Sequence, residues 1–262
     1  MSKQSEKIWS TLRVEASEQA CIEPMLGSFF HANILNHNSL GSALSFLLAN
    51  KLDSSAVPAL LIREIVENAL QSDDRILTAA CADIEAIRER DPAVDSYLTP
   101  FMYLKGFHAL QSYRIAHWLW FKERRSLALF LQNQISVVFG VDIHPAAQIG
   151  KGIMLDHATG IVIGETSVVE DDVSILQSVT LGGTGKECGD RHPKIRSGVL
   201  ISAGSKILGN IEVGEGAKVG AGSVVLKPVA PHTTVAGVPA RVMGAPTSNK
   251  PALDMNQAID QE

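Results

Sequence analysis

From Ile143 to Val225 an aliphatic residue returns at every sixth position. Ile143, Ile149, Leu155 and Ile161 open the series, Ser167 is a weak beat, and Val173 and Val179 resume it. After an interruption the rhythm returns in a shifted register through Ile195, Ile201, Ile207, Val213, Val219 and Val225. A period of six fits neither a helix nor an alternating strand. It predicts a hexapeptide β-helix, in which each hexad forms one flat face of a triangular coil and its aliphatic residue stacks inside the prism. Such coils bury their apolar faces only against each other, so the ends need covering.

Residues 1–138 follow a helical pattern instead. Asn38-Ser39 are placed to cap a helix through Leu40, Leu44, Leu47 and Leu48. Pro58 opens a second helix, with Leu61, Ile65 and Leu70 at helical spacing. Asp73-Asp74 precede a third, Ile76 to Arg90, which should stop at Asp91-Pro92. A long amphipathic stretch runs from Gly106 to about Ile135, with the charged run Lys122 to Arg125 on a solvated face. The predicted fold class is α+β: an all-helical domain (1–138), then a left-handed parallel β-helix (139–243) and a flexible tail (244–262). The spacing from Val179 to Ile195 is no multiple of six, so residues 182–194 must leave the prism as a loop.

Composition narrows the function without choosing it. The 262 residues carry a formal net charge of −5, which argues against non-specific attraction to nucleic acid or anionic membrane. The first residues are polar and lack the apolar core of a signal peptide. No apolar run approaches the roughly 20 residues of a membrane span. Cys21, Cys81 and Cys188 are widely spaced and form no CxxC, so a reducing cytoplasm is the expected compartment and no metal site is expected.

Three histidines, His144, His157 and His192, lie in or beside the coils. Asp142 and His157 are fifteen residues apart, which on a coil of about eighteen residues puts them on successive coils. His157 follows the inward Leu155 by two places, so it should point outward. A carboxylate oriented on an imidazole is the base half of a catalytic triad. No serine or cysteine nucleophile stands beside the pair, so the hydroxyl to be activated would belong to the substrate.

The strings RDPAVD (90–95), YLKGFHALQSYRI (103–115), VDIHPAAQIGKGIMLDHATG (141–160), SILQSVTLGGTGK (174–186) and GDRHPKI (189–195) carry a resemblance. The chain resembles the serine O-acetyltransferases of the bacterial hexapeptide-transferase superfamily, from about residue 20 to 243. The resemblance implies acetyl transfer from acetyl-CoA to the L-serine hydroxyl, for cysteine biosynthesis. His157 would be the general base and Asp142 would hold its tautomer. Asp91 and Asp156 would bind the serine ammonium. Arg191 would take the carboxylate, with His192 beside it; a planar fork of donors suits that group. Acetyl-CoA would lie in the groove between adjacent β-helices, along Gly183, Thr184, Ala203, Gly204, Gly220 and Ala221, with Lys218 or Arg241 facing the nucleotide phosphates. The resemblance further implies a trimer through the β-helix, a hexamer through the helical domains, and inhibition by L-cysteine. Members of the family insert a C-terminal tail ending in isoleucine into cysteine synthase. This chain departs from that pattern, ending Ile259-Asp-Gln-Glu262.

Two rival readings use the same scaffold. One is a hexapeptide acyltransferase acting on a sugar or another hydroxyl or amine acceptor. The other is a γ-carbonic-anhydrase-type zinc enzyme, which would need His144, His157 and His192 to converge on one point.

Overall fold

The computed structural model describes residues 3–185 and 188–259. The helical part comprises α1 (Lys3–Ile22), α2 (Gly27–Phe30), α3 (Leu40–Lys51), α4 (Ala59–Ser72), α5 (Asp74–Arg90), α6 (Leu98–Met102), α7 (Lys105–Phe121) and α8 (Arg125–Phe139). Ser39 caps α3 by accepting from the Ser42 amide at 3.2 Å, and Pro58 precedes α4. Asp73 caps α5 and Asp91 ends it. The long stretch from Gly106 to Ile135 is two helices, not one. Lys122–Arg124 make the exposed turn between α7 and α8, with Glu123 at a φ of 58°. The charged run is therefore a hairpin tip and not the face of a continuous helix. Helix α8 stops at Phe139 because Gly140 adopts the left-handed conformation, at a φ of 68°.

Strands begin at β1 (Val141–Ile143) and wind into three parallel sheets, the faces of a triangular prism. Face A stacks β1, β4 (Ile161–Ile163), β7 (Thr180–Gly182), β10 (Lys206–Leu208) and β13 (Val224–Val225). Face B stacks β2 (Gln148–Ile149), β5 (Val168–Val169), β8 (Lys194–Ile195) and β11 (Glu212–Val213). Face C stacks β3 (Met154–Leu155), β6 (Ser174–Ile175), β9 (Leu200–Ile201), β12 (Lys218–Val219) and β14 (Thr234–Gly237), and closes on the antiparallel β15 (Ala240–Gly244). Columns such as Leu155–Ile175–Ile201–Val219–Val235 fill the interior.

The first coil steps 20 residues, with Ile143 beside Ile163, whereas Val162 to Thr180 is a step of 18. The two extra residues fall in the corner after β3. There the six-residue beat passes from one inward position to the other. Ser167 is thus a fully buried second beat, with Val169 stacked on Ile149. The loop makes the next step 26 residues, from Val168 to Lys194.

On face C the residues of β3, β6, β9 and β12 are buried on both sides. Helix α5 lies against it, and so does the segment after β15. Helix α9 (Pro251–Asp254) seats Ala252 at 0% exposure, with the Ala252 carbonyl accepting from Ser174 Oγ at 2.9 Å. Lys250 reaches Asp172 at 3.3 Å. The sequence suggested a loose tail; residues 250–255 are docked instead, because the outward groups of face C offer them hydrogen bonds. Residues 260–262, with the terminal Glu262, lie outside the described residues.

Candidate functional site

The corner between faces C and A carries Asp156, His157, Ala158 and Thr159. His157 and Ala158 are both left-handed, at φ 53° and 60°. Non-glycine residues in this region are strained, and such strain clusters at functional sites. The turn lifts the His157 side chain to 74% exposure. Helix α7 holds the turn from behind. A Cβ on Gly106 would fall 2.1 Å from the Leu155 carbonyl oxygen, so only glycine lets α7 approach this closely. Lys105 Nζ donates to Thr159 Oγ1.

One carboxylate stands beside the imidazole, and a second acts on the first. Asp156 Oδ1 lies 3.8 Å from His157 Nε2. Asp91, at the end of α5, accepts from the Ala93 amide at 2.9 Å and stops the helix ahead of Pro92. It is also close enough for its charge to act on Asp156. Burial raises the Asp156 pKa, His157 opposes that shift, and Asp91 adds to it. Helix α5 is anchored here by the buried Arg90, whose Nη1 donates to Ser174 Oγ at 3.1 Å. One edge thus gathers Asp91, Asp156 and His157.

A second cluster occupies the corner between faces A and B, where the loop leaves the prism. Arg191 donates to Glu165 at 2.6 Å, and this bond is the main cause of the lowered Glu165 pKa. His192 is 8% exposed and its ring lies against Gly164, where a Cβ would fall 2.1 Å from Nε2. Burial and then Arg191 lower its pKa. Lys194 ties the loop base by donating to Asp190, the Thr166 carbonyl and the His192 carbonyl. His144 joins this edge, edge-on to Trp120 and lowered in pKa chiefly by burial.

Asp142 lies on face A, outward in β1, and acts electrostatically on His144. Its Oδ1 accepts from Gln132 of α8 at 2.7 Å. Within one chain the structure does not join Asp142 to His157. The 20-residue first coil stacks Asp142 on Val162 and leaves His157 five residues short of that position, around the corner. The expected same-chain pairing rested on an 18-residue coil. The three coil histidines stand on two different edges, so they do not converge. Among the described residues, no group of three or more His, Cys, Asp or Glu is arranged to hold a metal ion.

The residues expected along the acetyl-CoA groove divide between the same two edges. Ala203, Gly204 and Ala221 continue down the His157 edge, where Gly204 N donates to the Gln177 carbonyl and Gly222 N to the Ala203 carbonyl. Gly183 and Thr184 sit on the loop edge, with the Thr184 methyl beside Gly209. Arg241 is exposed on β15. Lys218 differs from expectation. It is 3% exposed and its ammonium donates to the Ala258 carbonyl, because residues 256–259 run over it. Ile259 of the same segment contacts Gly220. Glu165, Thr166, Gln132 and Gly106 were missed by the sequence reading. They are small or ordinary residues whose role depends on which neighbour they touch, and a six-residue period reports none of that.

Residues 8–112 match the family described as "Serine acetyltransferase, N-terminal", and residues 192–227 match "Bacterial transferase hexapeptide (six repeats)". A serine acetyltransferase of Salmonella typhimurium is 68% identical over 252 residues, covering 96% of this chain and 92% of its own length. The crystal structure of the Vibrio cholerae serine acetyltransferase superposes with a TM-score of 0.96 at 66% identity, over 97% of this chain and 98% of that one. A serine acetyltransferase solved in complex with cysteine gives 0.95 at 64% identity, over 97% and 99%. The Brucella abortus enzyme with coenzyme A gives 0.90 at 52% identity, over 91% and 96%. The soybean enzyme with serine also gives 0.90, at 55% identity over 92% and 100%. With relatives of this identity matched along nearly its whole length, the chain belongs to the serine acetyltransferase family.

Proposed function

We propose that the protein transfers the acetyl group of acetyl-CoA to the hydroxyl of L-serine, yielding O-acetyl-L-serine and CoA for cysteine biosynthesis in the cytoplasm. The observation that carries this reading is the separation of charge between the two edges. Asp91 and Asp156 sit beside His157 on one, and Arg191 and His192 stand on the other. A zwitterionic amino acid spans such a pair, its ammonium on the carboxylates and its carboxylate on the guanidinium. The serine hydroxyl is then left at His157.

The neutral His157 imidazole takes the hydroxyl proton as the serine oxygen attacks the thioester carbonyl. The tetrahedral intermediate collapses, the C–S bond breaks, and the imidazolium returns its proton to the departing thiolate. The two edges lie at opposite ends of the face A strands, so one chain holds two half-sites. In a trimer of prisms the His157 edge of one copy meets the loop edge of the next, which also brings a neighbour's Asp142 toward His157. The pantetheine lies along the Ala203, Gly204 and Ala221 edge, with Gly183 and Thr184 of the facing copy. The helical domains pair trimers into a hexamer. L-Cysteine presents the same ammonium and carboxylate as serine, so it competes for the same half-sites. Two features support these choices: a serine-bound and a cysteine-bound relative share this fold, and His157 stands on a different edge from His144 and His192.

The test is a thiol-release assay with acetyl-CoA and L-serine, repeated with added L-cysteine. Release should depend on serine and fall with cysteine in a manner that more serine relieves. Release with a sugar acceptor but none with serine would remove the assignment.

A further inference from the structure

We propose that Thr166 is a positioning residue that fixes His192 as a neutral ring with its proton on Nε2, so that His192 offers an N–H donor beside Arg191 and cannot act as a second base. The inference rests on the reading of Arg191 and His192 as the carboxylate half of the site.

The Thr166 hydroxyl oxygen accepts from the Arg191 amide at 3.0 Å and from the His192 amide at 3.1 Å. With its lone pairs so engaged, the hydroxyl has only its proton left to give, and it is shared between the ring and the Asp190 carboxylate, which also bonds to this hydroxyl. His192 Nδ1 lies 2.9 Å from that oxygen. The Thr166 amide donates to the same Nδ1 at 3.2 Å. A ring nitrogen that accepts from the Thr166 amide carries no proton, and the hydroxyl, with both lone pairs filled, cannot accept one from it, so the proton of the neutral imidazole sits on Nε2. Gly164 leaves room for the ring, since a Cβ there would fall 2.1 Å from Nε2 and Cδ2.

The charged and titratable groups around the ring agree. Arg191, Lys194 and His144 oppose a charge on it and Glu165 favours one, while the nearby Asp190 carboxylate is paired with Lys194. Glu165 is itself engaged with Arg191 at 2.6 Å. The same threonine therefore sets the Arg191–His192 backbone and the tautomer of the ring. This divides labour between the two edges, with a base at His157 and a fixed donor at His192.

The test uses the full-length protein with 15N-labelled histidine, its His192 signals identified by comparison with His192→Gln. Near neutral pH, His192 should show an unprotonated Nδ1 and a protonated Nε2. Thr166→Ser should keep that pattern and near-normal kinetics. Thr166→Val should shift the ring toward a tautomer mixture and raise the KM for serine roughly tenfold, with the KM for acetyl-CoA unchanged. A wild-type ring protonated on Nδ1, or charged at neutral pH, would overturn the proposal, as would a Thr166→Val protein with unaltered ring signals and serine KM. A Thr166→Ser protein as impaired as Thr166→Val would also overturn it, since packing and not the hydroxyl would then matter. The wild-type ring signals decide the tautomer even if a variant folds poorly. A protein that does not acetylate serine would refute the substrate reading while leaving those signals to judge the clamp.

Discussion

His157 and Ala158 spend conformational energy in consecutive left-handed positions to raise one imidazole clear of the prism, and the proposed chemistry turns on that ring. Replacing it, as His157→Ala, should lower kcat by about 10²–10⁴-fold and leave acetyl-CoA affinity nearly unchanged, as measured by steady-state kinetics and direct binding. Its neighbour Asp156 yields a prediction with opposite consequences for stability and activity. Burial raises the Asp156 pKa, so the folded chain holds this proton more tightly than the unfolded one. Its stabilising contribution is therefore present below the ordinary carboxylate range and is lost as pH rises through the raised value. Where the carboxyl is ionised its burial is a burden, which the proposed serine ammonium would relieve. Asp156→Asn should raise the melting temperature of the unliganded protein slightly at pH 7, with the gain vanishing under acid conditions. The same change should raise the KM for serine by about tenfold or more. A melting temperature that falls at pH 7 would contradict this account of the carboxyl. The DHATG string pointed to this corner through a resemblance, but neither the strain nor the neighbouring Asp91 is visible in its spacing.

Among the elements, α7 sets the corner by direct contact, and Gly106 is where that contact is tightest. Gly106→Ala would place a methyl group within 2.1 Å of a backbone carbonyl that cannot move without disturbing β3. It should cost about 1–3 kcal/mol as an overpacked contact. It should also reduce kcat, because the His157 turn must shift; a thermal melt and a turnover measurement check the two effects. The helices themselves were largely legible. Ser39, Pro58, Asp73 and Asp91 mark their ends through local hydrogen bonds or the geometry of proline, which sequence states directly. The hairpin between α7 and α8 was not, because Lys122–Arg124 suit a helix surface as well as a turn. In the β-helix the six-residue beat identified inward positions throughout. It did not show the two residues added at the His157 corner, because each hexad has two inward positions and the beat slips from one to the other without losing its rhythm. That slip is what displaced Asp142 from His157.

On the scale of the whole molecule, the proposed serine site is divided between two edges of one chain, so the proposal requires a second copy to complete each site. Face C is covered by α5 and by residues 250–255, whereas face A carries Asp142 with a proposed half-site at either end. Periodicity says which residues point inward. It cannot say which outer face will be covered by helix, tail or neighbour, and the docked tail and the divided site were illegible for that reason. The division can be tested by complementation. His157→Ala damages only the first edge, and Arg191→Ala, expected mainly to raise the KM for serine, damages only the second. Differently tagged copies of the two variants, produced in one cell and purified through both tags, form mixed trimers. Every trimer that holds both variants has one interface in three that joins an intact His157 edge to an intact Arg191 edge. Assayed with serine far below the raised KM, the mixed trimers should recover about one third of the unaltered activity, although each parent alone has almost none. Sites built within single chains would return only the sum of the two parents, and that result would require Asp91, Asp156, His157, Arg191 and His192 to meet by a movement within one protomer.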